Sequence, residues 1–380
     1  MLKQNAKPKL LFLVTEDYYF WSHRRLIAEA ARDSGFDVYV ATHVQKHFED
    51  LKRAGFHVLP TKFCRSNRNV IHQILAQWEL IQIYRRIRPD LVHHVALKSI
   101  LFGSIAARLA SVSKQVNLIA GLGVIFTDHR KKYKLISQIA RLIARVLLDN
   151  KTIVVQNSDD FRELQIMVPT AKLHLIRGSG VDTSLYRPTQ LPQKQRPVRA
   201  VLVGRMLWHK GVGEFVEAAK LLGAWGENIE MHLVGGIDRE NPASISEKQL
   251  QDWHHSGVVS WQGEQKDIAR VWAESDIAVL PSYREGLPKA LLEAAACAQP
   301  LIAADTPGCR EIVQDGINGF LVPKQNATAL AQAIQKLAHH PKLRIQMGQE
   351  GRRLVCNEFS NAHVVEQTMR VYYELIPTIP

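Results

Sequence analysis

Short apolar runs, many of them β-branched, recur from one end of this chain to the other, and nearly every one is followed by a stretch with helical periodicity. The first half has such runs at residues 9–14, 38–40, 57–59, 91–93, 116–120, 152–155 and 173–176. The second has them at 199–203, 231–234, 258–261, 277–280, 301–303 and 319–322. Strands that alternate with crossover helices predict parallel sheets covered on both faces. A polar, proline-containing stretch near 189–197 interrupts the rhythm once. The expectation is an α/β protein of two Rossmann-like domains facing a cleft, residues 1–188 and 199–361, joined by a linker at 189–198. With 380 residues, 46% of them apolar, the chain has material for a core in each.

Loops that follow strands carry the ligands of such sheets, and the most informative one runs Leu280-Pro-Ser-Tyr-Arg-Glu285-Gly286-Leu287-Pro288-Lys289-Ala-Leu-Leu-Glu293. It predicts a strand, a loop and a helix beginning at about Pro288, whose free N–H groups and dipole can hold a phosphate without a metal. Glu285 and Glu293, eight residues apart, are predicted to look over the same face. Anion-binding amides beside carboxylates suit a ligand with both phosphates and hydroxyls, as a nucleotide sugar has. Two glutamates about a helix start also serve simply to favour its dipole. In the loop Gly204-Arg205-Met-Leu-Trp-His-Lys210-Gly211, Arg205 and Lys210 can fold over a diphosphate, or stand as a pair of surface cations.

Three loops of the first half qualify on the same rule. One holds Ser22, His23 and Arg24, where Ser22 also suits a helix N-cap. The second is His93-His94-Val95-Ala96-Leu97-Lys98; neighbouring strand residues point to opposite faces, so at most one histidine reaches a given site. The third contains Gly121 and Gly123, a fragment of a phosphate-binding fingerprint that is absent after the first strand, which argues against a dinucleotide dehydrogenase.

Charge is shared unevenly. Residues 1–195 hold 30 Lys and Arg against 15 Asp and Glu, while the whole chain is only +13. The basic half favours an anionic partner, whether a membrane surface, a phosphorylated acceptor or nucleic acid. Residues 129–148 interleave Arg130, Lys131, Lys132, Lys134, Arg141 and Arg145 with apolar positions, as an amphipathic helix on a membrane or over a core would. Four cysteines without metal spacing, and no leader before the first strand, predict a reducing, cytoplasmic setting. No apolar run is long enough to span a bilayer, and no nucleic-acid-reading module is present, so nucleic acid is not expected as a partner.

Taken together, Gly204-Arg205-x4-Lys210-Gly211, Glu285-Gly286-x6-Glu293 and Asp305-Thr-Pro-Gly-Cys-Arg-Glu-Ile-Val with Asn318-Gly319 resemble the donor-binding half of glycosyltransferase family 4, retaining enzymes of the GT-B fold. The N-terminal half resembles bacterial members that extend lipid-linked saccharides, through Ser22-His23-Arg24, residues 93–98, Gly121-Leu-Gly123 and Gly178-Ser-Gly-Val-Asp182. The resemblance implies retaining transfer of a hexose or N-acetylhexosamine from a uridine-linked nucleoside diphosphate sugar to a polyprenyl-diphosphate-linked saccharide. The expected setting is an anionic inner membrane face. It implies that Arg205 and Lys210 neutralise the diphosphate, that Glu285 meets the donor sugar and that Glu293 holds the ribose. Gly204, Gly286, Leu287, Pro288 and Lys289 complete the donor site. Ser22, His23, Arg24, His94, Lys98, Gly121 and Gly123 stand on the acceptor side. A C-terminal helix from residue 362 packs back on the first domain. No Asp-x-Asp occurs, so no metal or other cofactor is expected. A family histidine is replaced by Val95, which leaves its role without a matching residue. A nucleotide-sugar epimerase or hydrolase of the same fold is the competing activity.

Overall fold

A computed structural model describes residues 7–65, 69–122, 134–178, 180–188, 196–239 and 241–377. The chain divides into two compact units, Met1–Ser179 with Val364–Pro380, and Gly180–His363.

The first unit is built on seven parallel strands. They are β1 (Lys9–Glu16), β2 (Asp37–His43), β3 (His57–Pro60), β4 (Leu91–Val95), β5 (Gln115–Ile119), β6 (Thr152–Val155) and β7 (Lys172–Leu175), in the order β3-β2-β1-β4-β5-β6-β7. Every residue of β4, β5 and β6 is buried, which is why these strands read as unbroken apolar runs. One core layer joins Phe12, Phe20, Phe36 and Phe56 to Val364, Met369 and Tyr372 of the helix Asn361–Leu375. The opposite face of the sheet packs Leu11, Leu13 and Val92 against the helix Val70–Ile87.

The expected loop after β1 is instead a helix, Asp17–His23, that follows the strand directly. Its Tyr-Tyr-Phe-Trp run has poor intrinsic helix propensity. Burial decides the conformation: Phe20 is fully enclosed, edge-on to Phe12 and Phe56. Asp17 secures the start of the helix to the next loop, its Oδ2 accepting the backbone N–H groups of Gln45, Lys46 and His47 at 2.8–2.9 Å.

The second unit repeats the plan with six parallel strands. These are β8 (Val198–Val203), β9 (Ile229–Val234), β10 (Ser260–Trp261), β11 (Ile277–Leu280), β12 (Leu301–Ala304) and β13 (Gly319–Val322), ordered β10-β9-β8-β11-β12-β13. Two apolar layers sandwich the sheet, one around Phe215, Leu233 and Ile302, the other around Trp272, Leu280 and Leu291. In both units the strand order reverses beside the first strand, between β1 and β4 and between β8 and β11. Such a reversal opens a crevice at the carboxyl ends of the strands.

Candidate active site

At the reversal in the second unit, β8 ends at Val203 and runs into Gly204 and Arg205, while β11 ends at Leu280 and runs into the loop that carries Glu285. Trp208–Lys210 form one 3-10 turn, closed by Gly211 in the left-handed region at φ 76°. A Cβ at Gly211 would lie 2.2 Å from the Pro281 carbonyl oxygen, so only glycine lets the two loops touch. Tyr283 N–H donates to the His209 carbonyl at 3.0 Å, and Ser282 Oγ to that of Lys210 at 3.4 Å. Clamped in this way, Lys210 Nζ lies 2.5 Å from Glu285 Oε1, with the side chains 20% and 11% exposed. Arg205 reaches in from the β8 side and pairs with Asp238. Gly308 supports the loop, since a Cβ there would approach the Gly286 carbonyl oxygen to 2.4 Å.

The helix beyond the loop is Lys289–Ala296, with Pro288 as an extended N-cap lacking a side-chain cap bond. It starts one residue later than the sequence predicts. Glu285 lies before it, in the loop where the sequence places it. Glu293 is 8% exposed. Burial pushes its carboxyl above the ordinary range, against the opposing pull of Lys289, Tyr186 and Trp272. Lys289 Nζ lies 3.8 Å from its Oε1.

The first-unit candidates are less of one piece. Ser22 sits in the last turn of the helix Asp17–His23, donating to the Tyr18 carbonyl at 2.7 Å, and so is not an N-cap. Its Oγ also lies 2.6 Å from His23 Nδ1, and the His23 ring stacks on Tyr19. Arg24 is buried. His94 is corrected to a core residue: it is fully enclosed, with Nδ1 2.8 Å from Asn117 Oδ1 and Nε2 3.1 Å from the Tyr84 hydroxyl. In a parallel sheet both faces are covered, so the alternation of His93 and His94 brings neither to the surface. Lys98 Nζ donates to the Cys64 carbonyl at 2.6 Å. Burial lowers its pKa. Gly121 has a φ of 147°. Gly123 and the cations Arg130, Lys131 and Lys132 lie outside the described residues, as does Ser179.

Two family descriptions match in succession, "Glycosyl transferase 4-like" over residues 9–158 and "Glycosyl transferases group 1" over residues 187–354. The chain belongs to glycosyltransferase family 4. The protein named N,N'-diacetylbacillosaminyl-diphospho-undecaprenol alpha-1,3-N-acetylgalactosaminyltransferase, from Campylobacter jejuni, is 26% identical over 95% of this chain and 96% of its own length. An Escherichia coli enzyme, UDP-Gal:alpha-D-GlcNAc-diphosphoundecaprenol alpha-1,3-galactosyltransferase, is 26% identical over 87% of this chain and 86% of its own. Among solved structures, sucrose-phosphate synthase from Thermosynechococcus elongatus superposes with a TM-score of 0.79 at 20% identity, covering 98% of this chain and all of that one. The fold is GT-B, and the chain is a glycosyltransferase.

Three residues of this glycosyltransferase's second-unit site carry no motif. Asp238 holds Arg205, Glu214 accepts the Tyr283 hydroxyl at 2.6 Å, and the Tyr186 phenol bonds to Glu293. Asp238 was findable, because it follows Gly235 and Gly236 in the loop off β9, by the same rule that singled out the other loops. Glu214 and Tyr186 become neighbours of the site only through folding. Among the described residues no three His, Cys, Asp or Glu side chains gather as a metal site. Chemically, the site is two cations held by two carboxylates beside an uncapped helix start. An incoming diphosphate can take the cations and leave Glu285 facing the attached sugar.

Proposed function

We propose that this glycosyltransferase moves a hexose or N-acetylhexosamine, with retention of configuration, from a UDP-linked sugar to a saccharide carried on polyprenyl diphosphate, in the assembly of a bacterial surface glycan. The observation that carries this is the contact between Lys210 and Glu285, fixed by the interlock of the loops after β8 and β11. In the reaction the bond from the anomeric carbon to the β-phosphate oxygen breaks, and negative charge grows on that oxygen. Lys210, Arg205 and the start of the helix Lys289–Ala296 oppose it, which is electrostatic stabilisation by groups already in place. Glu285 meets the donor sugar, Glu293 holds the ribose hydroxyls, and no metal takes part. The two relatives named above, whose names give undecaprenyl-diphosphate-linked substrates, support the acceptor class.

The acceptor places the enzyme at the inner face of the cell membrane. Val70, Ile71, Ile74, Leu75 and Trp78 form one face of the first turns of the helix Val70–Ile87, and each is more than half exposed. Leu142 and Val146 are equally open on the helix Lys134–Leu148, beside Arg141 and Arg145. Apolar faces flanked by cations on the basic half of the chain suit a peripheral hold on an anionic bilayer. Among the described residues no helix is long and apolar enough to cross one.

Incubation with a panel of UDP-sugars and a polyprenyl-diphosphate disaccharide tests the reaction. Sugar transfer with an axial-type linkage, seen by NMR, is expected. Steady consumption of UDP-sugar at the same rate without acceptor would overturn it.

A further inference from the structure

Among the described residues, Arg24 is the one arginine or lysine that is buried, and it has no counter-charge. It joins the helix Asp17–His23 to the helix Arg25–Asp33, its backbone N–H closing the first on the Phe20 carbonyl at 2.8 Å. Only 2% of the residue is exposed, yet Nε and Nη2 lack any hydrogen-bond partner. The buried carboxylate earlier on the same helix, Asp17, spends Oδ2 on three backbone amides and leaves Oδ1 unpaired, without an ion pair to Arg24. A guanidinium enclosed without an anion is strongly unfavourable.

The charge of Arg24 acts on two buried residues, His93 and Tyr372. His93, stacked on Phe12, is enclosed, and burial together with the charge of Arg24 holds its imidazole well below the ordinary range. The Tyr372 hydroxyl lies 2.5 Å from His93 Nδ1, and burial raises its phenol pKa, so the phenol stays protonated. His93 Nε2 too is buried without a partner. Arg24 Nε and Nη2 are thus two orphan donors on one buried positive charge, and His93 Nε2 is a third buried nitrogen without a partner. Arg24 follows the helix that leaves β1, and His93 stands two residues before the end of β4. These are the strands between which the sheet order reverses, where ligands of such sheets enter.

We propose that Arg24, His93 and Tyr372 form an anion site in the first unit that takes an oxygen of a phosphate or diphosphate. That this oxygen belongs to the acceptor rests on the function proposed above; the anion site does not, so inorganic pyrophosphate is the probe.

The titration is run on the Arg205→Ala, Lys210→Ala double variant, which removes the cations of the second unit from the reading. Pyrophosphate should bind this protein and shift the Nε resonance of Arg24, assigned by its loss in Arg24→Met. On the same background Arg24→Met should weaken binding roughly ten- to a hundredfold, with Arg24→Lys between. Methionine is chosen because apolar side chains of similar size commonly replace buried charges without loss of fold. An Nε resonance unmoved at high pyrophosphate overturns the site whatever the variants do, and so does equal binding by Arg24→Met; ordered water then satisfies Arg24. The source is separated in the otherwise unaltered enzyme. Arg24→Met should raise KM for a diphosphate-linked acceptor more than for the same saccharide on a phosphate-free lipid. Equal rises overturn the assignment to the acceptor and leave the pyrophosphate result standing.

Discussion

Lys210 and Arg205 have the same proposed duty but are held differently, and the difference sets what their loss does. Lys210 is four-fifths enclosed against Glu285, whereas Arg205 is nearly half exposed against Asp238. A charge-assisted contact is worth roughly 1.5 to 3 kcal/mol, or about ten- to a hundredfold in rate. Lys210→Ala should lower kcat/KM for the UDP-sugar by the upper part of that range or more, because it also strands the Glu285 carboxylate. Arg205→Ala should sit in the lower part. Unaltered kcat/KM in both variants removes these residues from the chemistry. Glu293 gives a pH dependence. Its folded pKa is raised, so the fold favours the neutral acid: its contribution is whole below the unfolded value and is lost as pH rises through the folded one. The melting temperature of Glu293→Gln relative to the parent should therefore climb across the range above about pH 4. A constant difference across that range contradicts a raised carboxyl. The sequence pointed to Lys210, Arg205, Glu285 and Glu293 because their motifs are local. It did not show that Arg205 meets Asp238, a pairing made by two loops on neighbouring strands. Nor did it single out Asn117 and Tyr84 as the partners that hold His94 in the core.

Strands were the most legible elements, because burial on both faces leaves an apolar run with no polar interruption. The helix Asp17–His23 is not legible in the sequence, because its aromatic residues have poor helix propensity and only the packing of Phe20 against Phe12 and Phe56 favours a helix. The 3-10 turn Trp208–Lys210 was likewise invisible, being set by the contact of Gly211 with Pro281. That contact is testable. Gly211→Ala must adopt a left-handed conformation, costing roughly 1 to 3 kcal/mol, and must also push Pro281 away. A melting temperature lower by several degrees is expected, together with weaker UDP binding by calorimetry, since Lys210 is the preceding residue. A variant that melts and binds like the parent would show that the loops do not depend on this close approach.

At the scale of the whole molecule, charge was legible and apolar exposure was not. Counting residues locates the basic half, but only the fold leaves Ile74 and Trp78 in the open. If the bilayer covers them, co-sedimentation with anionic vesicles should exceed that with neutral ones and fall as salt rises, the electrostatic range being roughly 8 Å at physiological salt. Ile74→Ser with Trp78→Ser should reduce sedimentation at every salt concentration, because the apolar share of the hold is not screened. Equal sedimentation of parent and variant, or none of either, rules this face out while leaving transfer chemistry intact. The helix Asn361–Leu375 has a different bearing on the molecule, through the order in which a ribosome makes it. Val364, Met369 and Tyr372 fill the core around Phe12 and Phe36, but the whole of the second unit is translated before they appear. At about 5 to 20 residues per second, those roughly 180 residues take on the order of ten to forty seconds. The half of the protein that is synthesised first is therefore the half that finishes last, and it waits with an apolar seam open during that interval.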